Sequence, residues 1–89
     1  MGRSELETHI RLLLDRQERR CALTGIPLEF KGQHTNKHFL VSLDRIDSSK
    51  HYSEDNLQVV CRFVNGWKSD MPNDEFVNLL AAVRGEELQ

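Results

Sequence analysis

No apolar run in the chain approaches the roughly 20 residues that a membrane-spanning helix needs. The first residues, MGRSELETHI, hold no apolar signal-peptide core. These two absences predict a soluble intracellular protein, cytoplasmic and with no membrane partner. Cysteine is scarce: Cys21 and Cys61 are the two in the sequence, and neither is half of a Cys-x-x-Cys pair. That count excludes a four-cysteine zinc site, and a disulfide is not expected in a reducing compartment. A surplus of basic charge is lacking as well. The net charge is −2, so bulk charge gives no support to a nucleic-acid partner. The distribution leaves a local patch open: 1–20 carries five basic against four acidic residues, 21–73 six against six, and 74–89 one against four.

The sequence has 89 residues, 38% hydrophobic and 29% charged, which fits one soluble globular domain. A domain of this size buries only about 60% of its unfolded surface, so its core is small. There are no repeats and no second domain.

Ser4-Glu5-Leu6-Glu7 fits a capping box, and Leu6, Ile10, Leu13 and Leu14 follow at helical spacing. This predicts a helix over 5–19, whose basic end (Arg16, Arg19, Arg20) suits the negative pole of the helix dipole. Cys21 to Leu28 reads as a knuckle punctuated by Gly25 and Pro27. The stretch 31–37 is polar and loop-like. Phe39, Val41 and Leu43 alternate as in a strand, Leu57 to Val60 is a second β-prone run, and Cys61 to Ser69 reads as a helix. Pro72 and Asn73 open a last helix over 74–84, with Asn73 as N-cap, Phe76, Leu79, Leu80 and Val83 as its apolar stripe, and Gly85 as its end. Phe39, Val41, Leu43, Ile46, Phe63 and Trp67 are core candidates, and Tyr52 a loop anchor.

The chemistry-bearing residues cluster in VSLDRIDSSKHYSEDNLQVVCRFVNGWKSD, Val41 to Asp70. A strand–loop–strand–helix unit brings the end of the first strand near the start of the helix. That placement sets the Asp44 carboxylate near the Asn65 amide oxygen. Hard cations such as Mg²⁺ prefer oxygen donors and are often held by one or two protein groups, with water and phosphate completing the shell. Lys68, one turn beyond Asn65, is in position for a neighbouring phosphate. On spacing alone, Asp44 reads equally as a turn residue and Asn65 as a solvated helix position.

The order of these pieces resembles the HNH, or His-Me finger, endonucleases. Cys21-Ala-Leu-Thr24-Gly25 matches the first knuckle, Leu43-Asp44-Arg45-Ile46 the Asp-His motif, Asn56-Leu57-Gln58 the central Asn-Leu-Gln, and Cys61 to Lys68 the second knuckle and helix. Ser42 to Asp47, Tyr52, Asn56 and Asn65 to Lys68 are similar to a phage and bacterial subgroup that reads Ser-Leu-Asp-Arg-Ile-Asp. The resemblance covers 21–68, more than half the chain. It implies an α+β fold with a small ββα-metal (treble-clef-like) core over 21–69 and flanking helices. It further implies one divalent cation, Mg²⁺ or Mn²⁺, and hydrolysis of phosphodiester bonds in DNA. Asp44 and Asn65 match the metal ligands, and Asn56 the central asparagine that holds the loop. Arg45, Lys50, Arg62 and Lys68 are the candidate nucleic-acid contacts. The alternative is an inactive HNH-like module that binds DNA or a protein partner, alone or within a larger assembly.

Three departures shape the expectation. Arg45 replaces the general-base histidine, and a guanidinium stays protonated, so it can bind phosphate but not take a proton from water. Thr24 and Val64 replace the second cysteine of each knuckle, which predicts loss of the structural zinc and two neighbouring buried thiols. His51 stands where the subgroup has glycine. It is the candidate replacement base in the right loop, with His34 and His38 as weaker ones. Lys31 and Lys37, like Lys50 and Arg62, read first as solvated side chains.

Overall fold

The computed structural model describes residues 2–85. Helix α1 (Arg3–Arg16) leads through a looped knuckle to strand β1 (Val41–Arg45). Strand β2 (Leu57–Cys61), helix α2 (Arg62–Lys68) and helix α3 (Asn73–Val83) follow, and short 3-10 turns occupy Lys37–Phe39 and Glu54–Asn56. The result is a small α+β domain with a two-stranded antiparallel sheet. The register pairs Val41 with Cys61, Leu43 with Val59, Asp44 with Gln58 and Arg45 with Leu57.

α1 begins before Ser4, so the expected capping box does not form. Gly2 takes the N-cap position, and the Ser4 carbonyl accepts from the Thr8 hydroxyl. The helix also stops three residues before Arg19. Glu18 and Arg19 adopt left-handed backbone angles, φ 55° and 58°, at a cost of order 1 kcal/mol each. This turn delivers Gln17 to the backbone of Val59 and carries the chain into the knuckle. There Cys21 N–H donates to the Ile26 carbonyl and Gly25 N–H to that of Cys21. Gly25 sits at φ 75°, a conformation that favours glycine.

β2 is buried at every position, from Leu57 to Cys61. A strand covered on one side would alternate; this one packs between α1 and the knuckle on one side and α2 on the other. Its continuous apolar run follows from that. The core joins Leu14, Cys21, Leu28, Val59, Val60, Cys61, Val64, Phe76 and Leu80. Two expected core residues lie outside it. Trp67 is 40% exposed and sets its ring edge-on to the buried Phe76 at 4.9 Å, and Ile46 is 36% exposed at the end of the strand. Phe39 belongs to the 3-10 turn, not to β1, because its carbonyl is taken by Glu29 N–H in a bridge beside the sheet. Pro72, not Asn73, holds the N-cap position of α3. Leu79 and Val83 of its expected stripe are exposed, while Phe76 and Leu80 are buried.

Among the described residues, no helix is long and apolar enough to cross a membrane.

Candidate functional site

A two-stranded sheet leaves two edges of backbone groups that must find partners. The outer edge of β2 is closed by Gln17. Its amide oxygen accepts from Val59 N–H (3.1 Å), and its NH₂ donates to the carbonyls of Val59 (2.8 Å) and Arg20 (2.8 Å). Ala22 N–H adds a second bond to the Val59 carbonyl.

The outer edge of β1 is closed by α2. Asn65 donates to the carbonyl of Leu43 (3.1 Å) and to the hydroxyl of Ser42 (2.6 Å). One turn later Lys68 donates to the carbonyl of Arg45 (2.9 Å). Carbonyls two residues apart on a strand are therefore capped by side chains three apart on a helix. The Asn65-x-x-Lys68 spacing has a structural role in addition to any chemical one.

Lys68 also begins a buried polar chain. Its side chain is fully buried, and its ammonium lies 2.9 Å from Asp44 Oδ2, with Asp44 itself 5% exposed. The same oxygen accepts from the Gln58 amide at 2.8 Å. Gln58 and Asn73 then exchange amide hydrogen bonds of 3.0 and 3.2 Å. This ties the first residue of α3 to the strand pair and explains why Asn73 is not a free N-cap. The chain Lys68–Asp44–Gln58–Asn73 satisfies every buried member: no buried side-chain nitrogen or oxygen among the described residues lacks a partner. A half-satisfied chain of this kind would be costly in a low-dielectric interior.

Two oxygens are left over. Both bonds to Asp44 fall on Oδ2, so Oδ1 has no protein partner among the described residues and keeps contact with solvent. For Asn65, the Leu43 carbonyl can only accept, which fixes the NH₂ towards the strand and turns Oδ1 the other way, again without a protein partner among the described residues. The two oxygen donors singled out by the sequence are thus held rigidly by their other atoms.

The loop between the strands is clamped from within. Buried Asn56 accepts from Asp47 N–H (2.9 Å) and donates to the carbonyls of Asp47 and His51 (3.0 Å each). Asp47 turns back on Ser49 through backbone N–H and hydroxyl, and the Ser49 hydroxyl bond holds its carboxyl below the usual range. Ser48 fastens the loop to the Asp70 carbonyl at 2.8 Å. Arg45 stays on this loop: its guanidinium donates to the Lys50 carbonyl (3.0 Å) and lies 5.1 Å over the Tyr52 ring. Strand alternation sends it to the face opposite Asp44. His51 and Lys50 are exposed.

The structure therefore brings Asp44 and Lys68 together, with Asn65 beside them on the same strand edge. It places Arg45, Lys50 and His51 on one loop with Asn56 beneath. Arg62 lies apart, at the start of α2. With its ammonium enclosed on Asp44 and the Arg45 carbonyl, Lys68 presents no exposed charge to a phosphate.

Cys21 and Cys61 are both buried and reduced, and Cys61 N–H donates to Cys21 Sγ at 3.4 Å. Burial and the neighbouring Cys21 push the Cys61 thiol up to about 12. With a hydroxyl at Thr24 and an isopropyl group at Val64, the four knuckle positions offer two such thiols, and this donor set does not fit a tetrahedral zinc site.

Sequence reasoning missed Gln58, Asn73 and Gln17. A polar residue inside LQVVC was the available signal for Gln58, since the strand register sets it opposite Asp44. Nothing local marks Gln17 or Asn73.

No family model, curated protein or solved structure matches the chain.

Proposed function

We propose that this domain is a metal-dependent endonuclease of HNH type, acting on DNA through a ββα-metal core formed by β1, β2 and α2. The observation that carries the reading is the pair of oxygens, Asp44 Oδ1 and Asn65 Oδ1, left without protein partners among the described residues while the buried side-chain nitrogens and oxygens there are all bonded. Two oxygen donors suit a hard cation that draws its remaining ligands from water and phosphate. Asp44 and Asn65 would hold Mg²⁺ or Mn²⁺. Such an ion supplies charge stabilisation at a scissile phosphate and its leaving oxygen.

The chain's own residues have separate tasks. Lys68 and Gln58 fix the Asp44 carboxylate by its inner oxygen, the kind of outer support that orients metal-binding carboxylates. Arg45, on the face opposite Asp44, makes one bond to protein out of five N–H donors, so the others can bind a phosphate of the DNA backbone on that side. Asn56 sets the loop that carries His51. His51 is the proton acceptor for the attacking water, because Arg45 cannot serve.

A second reading, a DNA- or protein-binding module without hydrolysis, is favoured by one contact. The Lys68 ammonium already offsets the charge of Asp44 at 2.9 Å, which weakens the attraction for a second cation.

Nicking of supercoiled plasmid separates the two. The wild type is expected to cleave with Mg²⁺ or Mn²⁺ and to stop on chelation, and Asp44→Asn to lose at least about 100-fold in rate, as for removal of a main charge-stabilising group. Paramagnetic broadening by Mn²⁺ around Asp44 and Asn65, read by NMR on the same samples, reports the ion independently of turnover. Cleavage unaffected by Asp44→Asn would sink the site. Binding of DNA with no cleavage under any cation would select the module.

A further inference from the structure

The loop before β1 and the first residue of α2 line an open cavity of about 520 Å³, inside the roughly 300–1,000 Å³ range of small-molecule sites. Its apolar wall is Phe30, Leu40 and Val41. Around it stand three cationic or protonatable side chains, Lys31, His34 and Arg62, all exposed, and the Ser42 hydroxyl. No acidic side chain lines it. Glu29, which precedes Phe30, is tied to Thr35 and Asn36: its Oε1 accepts both backbone N–H groups and the Thr35 hydroxyl. Those bonds, the Thr35 N–H foremost, hold its carboxyl below the usual range and pin the turn that carries Lys31 and His34. A further cation, Arg19, lies 4.3 Å over the Phe30 ring.

An apolar wall with a cationic rim and no acidic side chain in its lining suits a ligand that is flat and apolar at one end and anionic at the other. A nucleotide has that character: base and sugar against Phe30, Leu40 and Val41, phosphate against Lys31 and Arg62. Ser42 joins the cavity to the site described above, since its hydroxyl oxygen already accepts from Asn65 at 2.6 Å. We infer that this cavity is a subsite for one nucleotide of a single strand of nucleic acid, one step along from Asp44 and Asn65. The identity of the ligand as nucleic acid rests on the proposed function; the cavity's preference for an anionic, partly apolar ligand does not.

The test uses the whole chain in chelator, so that hydrolysis plays no part. A fluorescein-labelled octathymidylate is titrated against the wild type and against Lys31→Gln/Arg62→Gln, with amide NMR shifts recorded in parallel. Both replaced side chains of the double variant are exposed, and circular dichroism checks its fold. The double variant is expected to bind at least tenfold more weakly. Its logarithmic salt slope should be shallower by about 0.7, the value for one single-strand phosphate contact. Shifts should centre on Phe30, Leu40 and Val41. Unchanged binding by the double variant, or shifts centred elsewhere, would overturn the subsite. Thymidine monophosphate binding the same residues as tightly as the octamer would also overturn it, in favour of a pocket for free nucleotides. A wild type that binds in this way yet never nicks plasmid leaves the subsite standing and removes the hydrolytic reading alone.

Discussion

The two edges of the β1–β2 sheet solve the same problem with different surpluses. On the β2 edge, Gln17 gives its oxygen and its NH₂ to Val59 and spends what is left on Arg20. Nothing remains for a ligand, and the edge is purely structural. On the β1 edge, Asn65 and Lys68 cap Leu43 and Arg45, but Asn65 keeps an oxygen and Lys68 shares its ammonium with a carboxylate that also keeps one. A side chain that saturates itself in closing an edge builds fold. A side chain that closes an edge with half its capacity leaves a preorganised atom behind, and such atoms are the raw material of a site.

The sharpest way to break this comparison is Lys68→Met. It strands the buried Asp44 charge and uncaps the Arg45 carbonyl, and is expected to cost about 3–5 kcal/mol in urea denaturation. Adding Asp44→Asn to that variant should recover part of the loss, because a neutral amide needs no counter-charge. A cost below 1 kcal/mol would show that the pair carries little of the edge. Next come Gln17→Ala and Asn65→Ala. Each removes bonds to a strand edge and should lower stability by about 1–3 kcal/mol. Only Asn65→Ala should also abolish the Mn²⁺ broadening around Asp44. Equal effects on the ion from both variants would erase the distinction between the edges.

The smallest effect concerns Cys61, on the face of β2 turned to the knuckle. Its thiol ordinarily loses its proton near 9.0 and in the folded chain near 12. Between those values the folded chain holds the extra proton, so the contribution is complete below pH 9 and is lost as pH rises towards 12. Cys61→Ala should flatten the alkaline fall in stability. A slope unchanged from the wild type would assign that fall to other groups.

Much of the fold was legible in order and type: three helices, two strands, buried thiols at Cys21 and Cys61, and Asn56 as the clamp of its loop. These follow from periodicity, turn chemistry and cysteine's preference for the interior, all of which act over a few residues. The boundaries were less legible. The capping signal at Ser4 lost to a helix that starts earlier, and α1 ended before Arg19 because Gln17 is needed at Val59, 42 residues away. Trp67 read as core from its one-turn spacing to Phe63, yet α2 turns Val64 and Lys68 inward instead. In the candidate site the oxygen donors and their spacing were in the sequence. Their second partners were not.

The sequence by itself determined the α+β layout, the single-domain scale and the residue types from which an oxygen-donor site can be drawn, because these depend on local pattern and composition. Only the tertiary structure decided that Lys68 turns inward onto Asp44, that Gln58 and Asn73 complete the chain, and that one oxygen each of Asp44 and Asn65 is left over. Those outcomes depend on which backbone groups the sheet edges leave unpaired. That is settled when strand, helix and knuckle meet.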